Sequence, residues 1–159
     1  MSTLIVYYSL EGNTDYAAGI LQERLGAETL RIAPVKAFPD KGFRKFLYGG
    51  KSAVMAETPA LEPYEFDAEK YDRIVIGFPV WASNVAPPIR TFVKENDLRR
   101  KKVAAFACQS GNGAEKAFLK LAAAIGIPEV SPTLVLIDPK DRPKEGNTEK
   151  IEAFCRKLS

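Results

Sequence analysis

Four short apolar runs set the frame of this 159-residue chain. They are Leu4-Ile5-Val6-Tyr7-Tyr8, Arg73-Ile74-Val75-Ile76-Gly77-Phe78, Lys102-Val103-Ala104-Ala105-Phe106-Ala107-Cys108 and Thr133-Leu134-Val135-Leu136-Ile137. A strand with one wet face alternates apolar and polar residues, whereas a strand covered on both faces reads as a nearly unbroken apolar run. These four are expected to be buried parallel strands. Residues 28–32 alternate weakly, as an edge strand does. Helical patterns lie between the runs. Residues 13–25 place Ala17, Ile20, Leu21 and Leu25 on one face, and residues 87–96 open with the prolines that suit a first helical turn. Residues 114–125 stop at Gly126 with Pro128 beyond, and Asn147-Thr148 can cap a last helix carrying Ile151, Phe154 and Leu158. Strand and helix in alternation predict an α/β fold, a doubly wound five-stranded parallel sheet. A single domain over residues 1–159 is expected, since a chain of this length buries roughly 70% of its unfolded surface.

The first strand feeds directly into Ser9-Leu10-Glu11-Gly12-Asn13-Thr14, where a helix begins at once. That corner aims backbone N–H groups and the positive end of a helix dipole at one point, a place for an anion. It could equally be a bare structural corner in which Gly12 supplies a positive φ. It lacks the Lys of a nucleoside-triphosphate loop, so a single phosphate held by neutral donors is the expected ligand. Segments that follow strand C-termini share one edge of a parallel sheet. Two more stand out there: Pro79-Val80-Trp81-Ala82-Ser83-Asn84 after the third strand, and Gln109-Ser110-Gly111-Asn112-Gly113 after the fourth. The first carries the chain's one Trp, and the second offers small residues whose backbone can approach a ring. Together the three segments describe a pocket for a phosphorylated planar heterocycle.

Composition narrows the chemistry. There is no histidine, which removes Ser–His and Cys–His nucleophiles and His-ligated metals together. The two cysteines, Cys108 and Cys155, provide neither a disulfide framework nor a metal cluster, and Cys108 reads as a small hydrophobe ending a buried strand. A net charge of +3 is too mild for a nucleic-acid face. No run is long enough for a signal segment or a membrane span, so a cytoplasmic protein is expected. Residues 34–66 are irregular. A short helix is expected at residues 43–48, and Lys36, Lys41, Arg44, Lys45 and Lys51 are read as a solvated face, with docking of an acidic partner as the alternative. The run Arg99-Arg100-Lys101-Lys102 belongs to a solvated turn on the sheet edge opposite the three segments.

Tyr7-Tyr8-Ser9-Leu10-Glu11-Gly12-Asn13-Thr14, with Pro79-Val80-Trp81 running into Ala86-Pro87-Pro88-Ile89-Arg90-Thr91-Phe92, resembles the flavodoxin-like FMN-binding family over essentially the whole chain. The resemblance implies strand order 2-1-3-4-5 and FMN at the switch point between the first and third strands. It implies that Ser9, Leu10, Glu11, Gly12, Asn13 and Thr14 cradle the FMN phosphate. Pro79, Val80, Trp81, Ala82, Ser83 and Asn84 would run along the isoalloxazine, and Gln109, Ser110, Gly111, Asn112 and Gly113 would flank its pyrimidine side. Neither a protein catalytic residue nor a metal is implied.

The chain departs from the family in three places. Glu11 stands where a third hydroxyl is common. Ala82 follows the loop Trp where many carriers have a Gly that permits a peptide flip, and Ala resists positive φ. Weaker stabilisation of the one-electron-reduced flavin is therefore expected. The basic net charge differs from the acidic carriers that steer toward basic partners. The expected function is electron transfer by an FMN redox protein acting on a partner protein. The alternative is an FMN-dependent oxidoreductase between NAD(P)H and a quinone or other small acceptor, and a third is an FMN-binding module without turnover. A monomer or weak homodimer is expected, with no nucleic acid and no membrane. Other users of this fold are excluded on residues: Phe78-Pro79 lacks a receiver domain's acids, Ala114 stands where a Cys-based phosphatase needs Arg, and no His serves Ser110 as a hydrolase nucleophile.

Overall fold

The structure is a computed structural model that describes residues 2–38 and 57–158. In chain order its elements are β1 (Thr3–Tyr7), α1 (Asn13–Leu25), β2 (Glu28–Arg31), a 3-10 turn (Ala68–Lys70), β3 (Arg73–Trp81), β4 (Asn84–Val85), α2 (Pro87–Glu95), β5 (Lys102–Gln109), α3 (Ala114–Ile125), β6 (Thr133–Ile137) and α4 (Asn147–Leu158). The parallel strands lie in the order β2-β1-β3-β5-β6, and the two-residue β4 pairs antiparallel with the end of β3. Counting the parallel strands alone, this is the expected 2-1-3-4-5 arrangement.

Alternation along each strand sorts the core into two layers. Leu4, Val6, Ile74, Ile76, Phe78, Ala105 and Ala107 face α2 and α3, where Ile89, Phe92, Phe118 and Leu121 meet them. Ile5, Tyr7, Val75, Ala104, Phe106 and Cys108 face α1 and α4, with Leu21, Ile151 and Phe154. The register that brings these side chains together runs Leu4↔Ile74↔Val103 and Val6↔Ile76↔Ala105. Both faces being covered is the reason β1, β3 and β5 read as apolar runs. Gly77 sits mid-strand opposite Phe106, whose ring lies over it: a Cβ at Gly77 would stand 2.1 Å from Phe106 Cζ.

The helix ends follow the punctuation of the sequence. Gly26 and Gly126 end α1 and α3 in left-handed conformations, donating to the Gln22 and Ala122 carbonyls. Asn147 is the first residue of α4, and the Lys150 N–H closes on the Gly146 carbonyl, so the cap falls one residue earlier than the Asn147-Thr148 pair suggests. The ends of the 34–66 segment are clasped by a bridge between Pro34 and Leu61, with Val35 N–H donating to Ala60 and Glu62 N–H to Ala33. The helix expected at residues 43–48 lies outside the described residues, as do Lys41, Arg44, Lys45 and Lys51; Lys36 is exposed. The basic run at 99–102 opens β5 on the strand N-terminal edge, where Arg99 pairs with Asp97 and Lys101 Nζ donates to the Tyr71 carbonyl. Among the described residues no helix is long and apolar enough to cross a membrane.

Candidate functional site

A cleft of about 410 Å³ opens at the C-terminal edge of the sheet, between the segments after β1, β3 and β5. Its volume lies in the range of small-molecule sites. Of the seventeen residues expected there, Gly12, Asn84 and Gly113 are not in its wall; Cys108 and Asp138 are additional.

The loop after β1 leaves hydrogen-bond donors able to meet an anion. Gly12, at φ 104°, turns the chain into α1. Ser9 is buried, and its Oγ accepts the Asp15 N–H at 3.1 Å, which caps the first helical turn. A hydroxyl that accepts one bond still has its own hydrogen to donate into the cleft. Among the described residues, no acceptor is bonded to the N–H groups of Gly12, Asn13 and Thr14. Three unpartnered donors at a helix start are a site for an anion. Behind the loop, Asp15 receives the Tyr7 hydroxyl at 2.6 Å and Arg31 at 3.4 Å, while Arg31 also donates to the Ser9 carbonyl. Burial, then the Asp15 bond, pushes the Tyr7 phenol up to about 12, so it remains a neutral donor.

The segment 79–84 is not the open loop that Pro79 suggests. β3 continues through Pro79 and Val80 to Trp81, and the chain returns through β4 with Val80 opposite Val85 and Trp81 opposite Asn84. The two turn residues, Ala82 and Ser83, both have positive φ, 51° and 60°. Two such residues in a row are what a twisted two-residue hairpin requires. Ala82 thus adopts the conformation that its Cβ disfavours. Asn84 holds it there: its Nδ2 donates to the Ala82 carbonyl at 2.6 Å, and its Oδ1 accepts Lys120 Nζ at 2.7 Å. Asn84 is 7% exposed and serves as a clamp between the hairpin and α3. Trp81 is half-buried in the cleft wall, edge-on to Tyr8 at 5.9 Å and to Phe38 at 5.2 Å.

In the segment after β5, Gln109 Oε1 accepts the Ala114 N–H at 3.0 Å and Gly113, at φ 104°, begins α3. Gly113 touches the hairpin tip: a Cβ there would lie 2.5 Å from Ser83 Oγ and 2.8 Å from Ser83 Cα. Burial pushes the Cys108 thiol up to about 12, which makes it inert rather than nucleophilic.

A fourth segment, after β6, carries no motif that marks it in the sequence. Asp138, in the cleft wall at φ 39°, accepts Ser110 Oγ at 2.9 Å and is gripped by the Arg142 guanidinium. Asn13 reaches the same segment: its Oδ1 accepts the N–H groups of Lys140 and Asp141, and its Nδ2 donates to Asp141. The Asn13 side chain therefore stitches two loops together, leaving its backbone N–H for a ligand. The rule that ligands bind beyond strand C-termini finds this segment when it is applied to the last strand as well.

The fold is shared with flavoproteins. A flavoprotein from Lactobacillus acidophilus in complex with FMN superposes with a TM-score of 0.72 at 22% identity, over 88% of this chain and 95% of that one. A Bacteroides eggerthii protein assigned to the flavoproteins matches with a TM-score of 0.74 at 22% identity, over 99% and 97% of the two chains. Oxidised flavodoxin 1 from Bacillus cereus matches with 0.57 at 16%, over 99% and 97%. No curated protein sequence matches the chain. The sequence profile of the flavodoxin family, in contrast, matches residues 2–141, which contain all four cleft segments, and this chain therefore belongs to the flavodoxin family.

Proposed function

We propose that the protein binds FMN in this cleft and serves as an electron-transfer flavoprotein that acts on a redox partner protein. The observation that carries the reading is the set of three unpartnered N–H groups at Gly12, Asn13 and Thr14, beside a cleft wall formed by Trp81. Those N–H groups, with the Ser9 hydroxyl, suit a phosphate monoester. The hairpin residues 79–83 and the segment 109–112 both line the cleft and suit a planar ring, and the FMN complex of the Lactobacillus relative supports the same choice.

When bound, FMN supplies reversible uptake of one or two electrons, chemistry that no side chain of this protein offers. The chain's own contribution is orientation and exclusion of water. Trp81, backed by Tyr8 and Phe38, gives one wall a fixed aromatic edge. The Asn84 clamp fixes the Ala82 carbonyl, and the inert Cys108 thiol adds no competing chemistry.

A second reading, an FMN-dependent oxidoreductase passing electron pairs from NAD(P)H to a quinone or other small acceptor, is favoured by the same clamp. A turn whose carbonyl is already bonded to Asn84 is less available to respond to a change in flavin protonation. The test is stoichiometric binding followed by anaerobic stepwise reduction with absorption from the near-ultraviolet to the red. Two resolved one-electron steps support the carrier, and direct two-electron reduction supports the reductase. A chain that retains no FMN refutes both.

A further inference from the structure

We propose that Lys140 is the counter-charge of the phosphate loop and makes the cleft select a flavin carrying a phosphate over the same flavin without one. The inference rests on the FMN reading above and adds a specificity-determining residue to it. The loop at 9–14 contains no Lys or Arg and carries Glu11. The cation comes from the other end of the chain. Asn13 fixes the segment after β6 against the loop through three hydrogen bonds, to Lys140 N, Asp141 N and Asp141 Oδ2.

That anchoring brings the Lys140 ammonium over Gly12. A Cβ built on Gly12 would lie 2.9 Å from Lys140 Nζ and 3.5 Å from its Cδ. The positive φ calls for glycine at position 12, and the missing Cβ leaves the space that the ammonium occupies. Three nearby aspartates bond to other groups. Asp15 takes Tyr7 and Arg31, Asp138 takes Ser110 and Arg142, and Asp141 takes Asn13. Among the described residues, no acceptor is bonded to the Lys140 ammonium. Lys140 is exposed and stands on the flank of the loop rather than in the cleft wall. It therefore acts as a charge across Gly12, adding to the positive field that the helix start already directs at the phosphate. Riboflavin, with the same ring and no phosphate, gains nothing from it.

The experiment compares FMN and riboflavin binding to the wild-type protein, K140Q and K140R, by flavin fluorescence at low and at high salt. K140Q is expected to weaken FMN about fivefold at low salt, the scale of a partly screened charge pair with a dianion, and to leave riboflavin unchanged. K140R restores FMN affinity, and high salt narrows the gap. If K140Q binds FMN as the wild type does, or weakens both flavins equally, Lys140 is an ordinary surface lysine and the inference falls alone. A wild-type protein that binds neither flavin overturns the FMN reading and this inference with it.

Discussion

Gly113 is where the geometry predicts most. It joins the start of α3 to the tip of the β3–β4 hairpin, and Gly113→Ala perturbs both. At φ 104° an alanine meets the left-handed penalty, about 1–2 kcal/mol. Its Cβ would also lie 2.5 Å from Ser83 Oγ, 2.8 Å from Ser83 Cα and 3.0 Å from Ser83 Cβ. The hydroxyl can rotate, but the Cα belongs to a backbone already fixed by the Asn84 bond to Ala82. Overpacking of that kind costs about 1–3 kcal/mol. The alanine recovers about 0.4–1 kcal/mol by restricting the unfolded chain. The net expectation is a loss of about 3 kcal/mol, measured by urea unfolding of the flavin-free protein, with an unchanged m-value. Because the hairpin must move away from α3, FMN affinity should fall as well. Gly111 is the internal control: it lies in the same segment, is exposed, and a Cβ on it would have nothing within 4 Å. Gly111→Ala should stay within about 0.5 kcal/mol of wild type. A Gly113→Ala protein as stable as wild type, or a Gly111→Ala protein equally damaged, would refute the close-contact argument.

Asn84→Ala removes the clamp and leaves the Ala82 carbonyl and Lys120 without their partner. A loss of about 1–3 kcal/mol is expected by urea unfolding, together with a higher yield of one-electron-reduced flavin during anaerobic titration; an unchanged stability and an unchanged titration would dismiss the clamp. The Cys108 thiol, moved by burial from an ordinary 9.0 to about 12, makes stability fall with alkali. Between those values the unfolded chain has released a proton that the folded one keeps, so the contribution is full below pH 9 and declines by up to ~1.4 kcal/mol per pH unit above it. Tyr7, raised to about 12, acts in the same direction. Unfolding between pH 8 and 11 should therefore show a shallower alkaline decline in Cys108→Ala than in wild type, and parallel curves would contradict this.

The buried sheet was legible because burial on both faces writes a continuous apolar run, and Gly26, Gly126 and Pro87 punctuate the helices in the usual way. β2 was faint since it pairs with β1 alone among the described strands, with Glu28, Thr29 and Arg31 exposed. The hairpin was hidden twice. Pro79 reads as the end of a strand, yet β3 runs through it beside Cys108, and the turn lacks the glycine that normally announces it. Its sequence is Ala82-Ser83, made possible by Asn84 and by a lysine 36 residues further on. Such a long-range contact leaves no local signal.

The roles of the polar side chains illustrate why a site is harder to read than a fold. Ser9, Asn13, Asn84 and Gln109 have the amides and hydroxyls expected of ligands, yet each binds the protein itself. Ser9 caps Asp15, Asn13 fastens the segment after β6, Asn84 holds the hairpin turn, and Gln109 caps Ala114. A side-chain amide aimed at a ligand loses rotamer freedom on binding, whereas a backbone N–H at a helix start is already fixed by folding. The arrangement therefore uses these side chains chiefly to set the loops and leaves the backbone N–H groups, with the Ser9 hydroxyl hydrogen, available to an anion. The residue types clustered at one sheet edge marked where the cleft lies. Which atoms are available to a ligand follows from Gly12, Asn13 and Thr14 entering α1 with their N–H groups unpartnered among the described residues, a property of the turn rather than of any side chain.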